Sequence, residues 1–197
     1  MPTTKLKAVV DRAKTILQET GAEGVRWTNA ELVDWANEFY CHAANLVPSE
    51  FAEVREMNCV AGTKQDAPAD MVQVIDVIRN LDGSMMPLTA TAKDVLDSTI
   101  RGWHGHAGSI EQEVFVLDER YPRNFYVYPP ASVGSKIEIA GAVIPVAHVL
   151  SDFTGEAALV KCSDRITPAM TDYILFRAHN KDAEHAGNAA RSDYHRN

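Results

Sequence analysis

The segment from Pro168 to Asn197 constrains the fold most, because it reads as one long helix whose packing stripe is built from small residues. Thr167 is placed to cap that helix through its hydroxyl, and Pro168 suits the first helical position, where a missing N–H costs nothing. Phe176, Asn180, Ala183, Gly187, Ala190 and Tyr194 recur at spacings of four and three, with Ala186 and Ala189 beside them, so the stripe stays on one face. An interior glycine such as Gly187 costs about 1 kcal/mol against alanine, which is tolerable where another backbone comes close. Unbroken, the element would reach about 45 Å. The pattern points to close helix packing or assembly, and these six residues are the candidate interface.

The opposite end of the chain is also helical in pattern. Leu6, Val9, Val10, Ala13, Ile16 and Leu17 repeat at helical spacing before a stop at Thr20-Gly21. Thr28 and Glu31 form a Thr-x-x-Glu capping box ahead of Leu32, Trp35, Ala36, Phe39, Ala43 and Leu46, and Pro48 follows. Between the ends the period changes. Residues 57–60 read as a strand, Ala61 to Lys64 as a turn, and Gln65 to Pro68 as a short return strand. Met71 to Arg79 is rich in β-branched residues and runs into Asp82-Gly83, a tight-hairpin signal. A short helix is predicted over Ala92 to Ile100, strands over Glu113 to Asp118, Phe125 to Tyr128 and Lys136 to Ile144, and loop over Val146 to Ile166. The fold class that follows is α+β but mainly helical: an antiparallel bundle of the N-terminal and C-terminal helices with a β-rich insertion. One domain over 1–197 is expected, with 1–47 and 167–197 as the helical body and about 52–150 as the insertion.

Chemistry is hard to find in this chain. Its 46% hydrophobic and 23% charged residues suit a folded protein, and no apolar leader or membrane-length run is present, so a cytoplasmic origin is expected. A formal charge of −8 works against gripping nucleic acid phosphates. Cys41, Cys59 and Cys162 lie too far apart for a disulfide framework or zinc ribbon and read as free thiols. His104 and His106 could offer two imidazoles to a metal, which keeps a small metal-dependent enzyme as a third reading, but a third ligand is missing nearby. His179, His185 and His195 do not share the i, i+4 spacing that aligns two ligands. Glu111 and Glu113 read as a solvated face, and Ala61-Gly62-Thr63-Lys64 lacks the upstream glycine of a phosphate loop. Phe125 to Pro130 is aromatic and reads as core on one face and sheet surface on the other.

Four stretches carry a resemblance: Val25 to Leu32, Val60 to Gln65, Arg123 to Ala131 and Asp172 to Arg191, the run from Lys181 to Ala189 being the most specific. Together they resemble the head-to-tail adaptor proteins of tailed bacteriophages, especially short-tailed ones. The resemblance implies a structural virion protein at the head–tail junction, a dodecameric ring joining the portal to the tail nozzle and continuing the DNA channel. It implies portal protein, nozzle protein and neighbouring copies as partners, with DNA passing without specific binding. No catalytic residue, cofactor, metal or membrane contact is implied. Another neck component, a head-completion or tail-terminator protein, is the alternative.

Overall fold

The computed structural model describes residues 2–19, 21–181 and 193–195. In chain order its elements are α1 (Leu6–Ile16), α2 (Asn29–Leu46), β1 (Ala52–Asn58), β2 (Gly62–Asp66), β3 (Met71–Asn80), β4 (Thr89–Ala90), α3 (Lys93–Thr99), β5 (Val114–Leu117), β6 (Asn124–Ala131), β7 (Lys136–Val143), α4 (Leu150–Thr154) and α5 (Thr167–Lys181). They fall into two compact units, the first Met1–Ala43 with Pro145–Asn197, the second Ala44–Ile144.

In the first unit α1 packs on α5 and α4. Its buried face is Leu6, Val9, Val10 and Ala13, while Met170, Ile174, Leu175 and Ala178 are buried on α5. The predicted capping box opens α2: the Thr28 N–H donates to the Glu31 carboxylate at 2.9 Å, and the Glu31 N–H donates to the Thr28 hydroxyl at 3.3 Å. Residues 3–6 run antiparallel to 158–160, with the Leu6 N–H on the Ala158 carbonyl and the Val160 N–H on the Thr4 carbonyl. Asp164 completes this ribbon by accepting from the Thr3 N–H at 3.0 Å, the Thr4 N–H at 2.9 Å and the Thr3 hydroxyl at 2.6 Å. Those donors, Thr3 first, hold its carboxyl well below the usual carboxylate range.

The turn between α1 and α2 is built around a buried ammonium. Lys14 Nζ donates to the carbonyls of Gly21 (3.0 Å) and Ala22 (3.2 Å) and to Asn29 Oδ1 (2.8 Å). Removing the donor takes away all three bonds, the one to Asn29 in a buried position. Lys14→Ala is therefore expected to cost about 2 kcal/mol, read as a lowered midpoint in chemical denaturation, and a neutral result would show that water replaces the ammonium.

The second unit is a sandwich of a three-stranded sheet, order β1-β7-β3, and a four-stranded sheet, order β2-β6-β5-β4. Met57, Val74, Val77, Phe115, Phe125, Val127, Ile137 and Ile139 from both sheets share one buried cluster. The outer face of the four-stranded sheet carries a second cluster, where Leu96 of α3 and Trp103 meet Val116, with Ile100, Val114, Tyr126 and Tyr128 packed around them.

The mainly helical bundle expected from the sequence is not formed. The fold is α+β with two sheets, and the middle of the chain is a compact unit with its own core. The physical reason lies in strands whose signals mislead when read locally. β1 and β2 are not a hairpin; β1 pairs with β7 and β2 with β6, so residues 59–61 form a corner between sheets. Gln65, fully buried, staples that corner by donating to the Val60 and Gly62 carbonyls and accepting from the Val60 N–H. The predicted strands β5 and β6 do form and pair antiparallel as a hairpin, in register from Val114 opposite Tyr128 to Leu117 opposite Phe125. The segment read as loop contains α4 and the 3-10 turn Asp164–Ile166. Thr167 starts α5, but its hydroxyl donates to the Asp164 carbonyl at 2.8 Å instead of capping the helix.

Candidate assembly surfaces

The six residues of the small-residue stripe are only partly within the described structure; Ala183, Gly187 and Ala190 lie outside it. Phe176 is half-buried with its ring 6.0 Å from that of Tyr173, and Asn180 is exposed. α5 is tied to α2 and to the turn before it by polar contacts: Tyr173 and Arg177 reach Glu38 of α2 at 3.4 and 3.3 Å, and Trp27 Nε1–H in the turn donates to the Ala178 carbonyl at 3.1 Å. Lys181 Nζ lies 2.5 Å from Glu31 and is the main cause holding the Glu31 carboxyl below its usual range.

Tyr194 is 80% exposed, whereas its neighbour His195 sits 3.1 Å from Asp172 and stacks on His179 with ring centroids 6.0 Å apart. Of the single rod expected from residue 168 to the end, α5 supplies Thr167–Lys181, and residues 182–192 lie outside the described structure.

The histidines weighed as metal ligands have other roles. His104 stacks on the Trp103 ring at 3.7 Å and bonds Thr63 Oγ1 at 2.7 Å, while His106 meets the Tyr128 hydroxyl at 3.2 Å. Among the described residues no group of three or more His, Cys, Asp or Glu side chains is placed to hold a metal ion. Glu111 is engaged too: it accepts from the Ser84 backbone N–H and from the Ser84 hydroxyl, which lower its carboxyl.

That contact belongs to a hydrogen-bonded loop around the Asp82-Gly83 turn, where the sequence predicts a tight hairpin. At the end of β3, the buried Asn80 amide donates to the Met86 and Gln112 carbonyls at 2.9 and 2.8 Å, and its oxygen accepts the Gln112 N–H at 2.9 Å. Asp82 accepts the Lys136 N–H at 2.7 Å, and Gly83 takes the positive φ its turn requires. On this frame Met85 and Met86 are 56% and 59% exposed, and Ile110, next to Glu111, is 58% exposed. Large apolar side chains held outward by a hydrogen-bonded frame suit a contact with another protein. Only the Met-Met pair following Asp-Gly could have signalled them.

Open strand edges are the other available surface. β1 lies at one edge of its sheet and exposes Val54, and β2 lies at an edge of the other. No helix among the described residues is long and apolar enough to cross a membrane. A search of curated proteins gives no match. The SU10 adaptor protein family, however, matches residues 4–197, a span that includes both compact units. On that coverage the chain belongs to the SU10 adaptor protein family, the phage adaptor proteins.

Proposed function

We propose that this adaptor joins the portal vertex of the capsid to the tail nozzle as a dodecameric ring that continues the DNA channel. The observation that carries the reading is family membership across nearly the whole chain. The physical character of the surface supports it: Met85, Met86 and Ile110 stand outward on a braced loop, and strand edges are open to pairing. A ring places one face of each copy against a different face of the next, so a protein of this kind needs two unlike contact surfaces. The net charge of −8 lets duplex DNA pass without being held. In this reading Phe176, Asn180, Ala183, Gly187, Ala190 and Tyr194 contribute to the contact with the portal or with neighbouring copies.

Sedimentation velocity of the purified chain, alone and mixed with the portal ring of the same phage, tests the proposal. The expected result is complete transfer onto the portal at about one copy per portal subunit. Failure to co-sediment would overturn the portal joint and move the chain to another position in the neck. Gly187→Leu is expected to weaken that transfer, and unchanged assembly would remove the small-residue stripe from the interface.

A further inference from the structure

The two ends of the β-sandwich differ in chemistry. The chain joins β1 at Ala52 and leaves β7 at Val143 at one end, where the turns carry Asp66, Asp70, Asp118, Glu119, Arg120 and Arg123. At the far end the segments 59–62, 81–87, 108–111 and 132–135 come together, and their only charged residues are Asp82 and Glu111. Both carboxylates are already engaged by backbone donors: Asp82 accepts the Lys136 N–H at 2.7 Å, and Glu111 accepts the Ser84 N–H. From this tip Val60, Val133 and Ile110 stand out at 58%, 85% and 58% exposure, alongside Met85 and Met86.

Hydrogen bonds fix the loops that present them. Gln65 grips the Val60 backbone from both sides, at 2.9 Å on its N–H and 2.8 Å on its carbonyl. The turn bearing Val133 is bonded to the same corner, the Cys59 N–H donating to the Ser135 carbonyl at 2.7 Å and the Gly134 N–H to the Cys59 carbonyl at 3.4 Å. Ile110 follows Ser109, whose N–H donates to the Pro130 carbonyl at 2.7 Å and whose carbonyl accepts the Ser132 N–H at 2.8 Å. The middle strand β7 divides the tip. Val60 continues from β1, with Val133 bonded to its corner, whereas Met85 and Met86 continue from β3 on the other side. One side therefore offers β-branched valines, stiff at χ1, and the other unbranched methionines that adjust to what they meet.

We propose that the two sides of the tip are mates, Met85 and Met86 of one copy packing against Val60 and Val133 of the next; this rests on the ring reading above and names its copy-to-copy contact. A ring needs two unlike faces that meet again each time the same rotation is repeated, and this tip carries both at one end of the sandwich. Charge selects a second copy as the occupant. Chains of net charge −8 repel one another, and identical copies bring like acids together, so contact falls where the acids are already satisfied by backbone donors. An anionic surface, whether lipid or nucleic acid, would instead require clustered Lys and Arg, and the four segments of the tip contain none.

Crosslinking of the full chain on the portal ring of the same phage tests the contact, with sedimentation of the same samples reporting transfer separately. The chain carries Met86→Cys, Val133→Cys or both, in a Cys41→Ser background that removes the exposed native thiol. A short bis-maleimide is expected to convert the portal-bound double variant into a ladder of covalent multimers and to leave either single variant monomeric. In the unmodified chain, oxidation of Met85 and Met86 by dilute peroxide should slow about tenfold on transfer to the portal. Full transfer with no ladder, covalent dimers from Met86→Cys alone, or equal methionine oxidation in the free and bound chain would each overturn this contact while leaving the ring reading in place. No transfer of the unmodified chain would overturn both. Where Val133→Cys or Met86→Cys fails to fold, Val60→Cys or Met85→Cys takes its place with the same outcomes.

Discussion

Trp103→Ala is expected to destabilise the protein by about 3–5 kcal/mol, the largest loss anticipated for a single side chain here. The ring is 2% exposed and is the largest buried side chain of the outer cluster of the sandwich. It meets Tyr126 and Tyr128 edge-on with centroids 6.1 and 6.4 Å away, carries His104 stacked on its face, and donates from Nε1 to Asp97 at 2.9 Å. Asp97 belongs to α3, a helix of seven residues. A helix that short does not hold together in water without tertiary support. Alanine at 103 therefore removes the buried ring and also the link that keeps α3 on the sheet. Equilibrium denaturation gives the energy, and hydrogen exchange should show residues 93–105 losing protection first. Trp103→Phe separates the two effects, because it keeps most of the apolar area and loses only the bond to Asp97, about 1 kcal/mol. A loss below about 1 kcal/mol for the alanine variant would mean that the outer cluster contributes little.

Gly141→Val is expected to cost about 3 kcal/mol, for the opposite reason. Gly141 lies in the central strand β7, opposite Glu53 on β1 and Val74 on β3. A Cβ there would run into the Sδ and Cε atoms of the fully buried Met71 and would stand 2.6 Å from the Gln73 carbonyl. The methionine tip can move, but the carbonyl belongs to a strand fixed by its ladder. The gain in strand propensity, about 1 kcal/mol at most, does not offset that overlap. For a chain of this length the loss corresponds to a melting point lower by about 6–12 °C. An unchanged melting point would show that β3 shifts away from β7 at little cost.

What the sequence made legible was governed by near neighbours. α1, α2 with its capping box, the β5–β6 hairpin and β7 all announce themselves through contacts within a few residues, and each formed close to its expected bounds. The errors came from long-range pairing. In β3 the buried residues are Met71, Val74, Val77 and Asn80, every third position, because register shifts interrupt its pairing with β7. The strand itself was legible from its β-branched residues, but that spacing hides which of its residues are buried. The ribbon at residues 3–6 and the backbone of His148 depend on Asp164 and Asn37, more than a hundred positions away, and no local pattern marks them. Of the candidate interface, the helical character of Phe176 and Asn180 was readable, but the contact of His195 with Asp172 was not, since it rests on two side chains with no periodic relation.

The strand order β1-β7-β3 has a consequence for how the protein is made. β7 is the last strand of its unit, yet it is the middle strand of its sheet and the partner of both others. While the ribosome has not yet released Lys136 to Val143, β1 and β3 have no mate within that sheet, and apolar residues such as Met57, Val74 and Val77 lack their cover. The first unit waits longer, because its opening residues are bonded to Ala158 and Asp164 and its α1 packs on α5. Neither unit is closed by the residues that begin it. Folding of each unit thus waits for its own late partner, β7 for the second unit and α5 for the first.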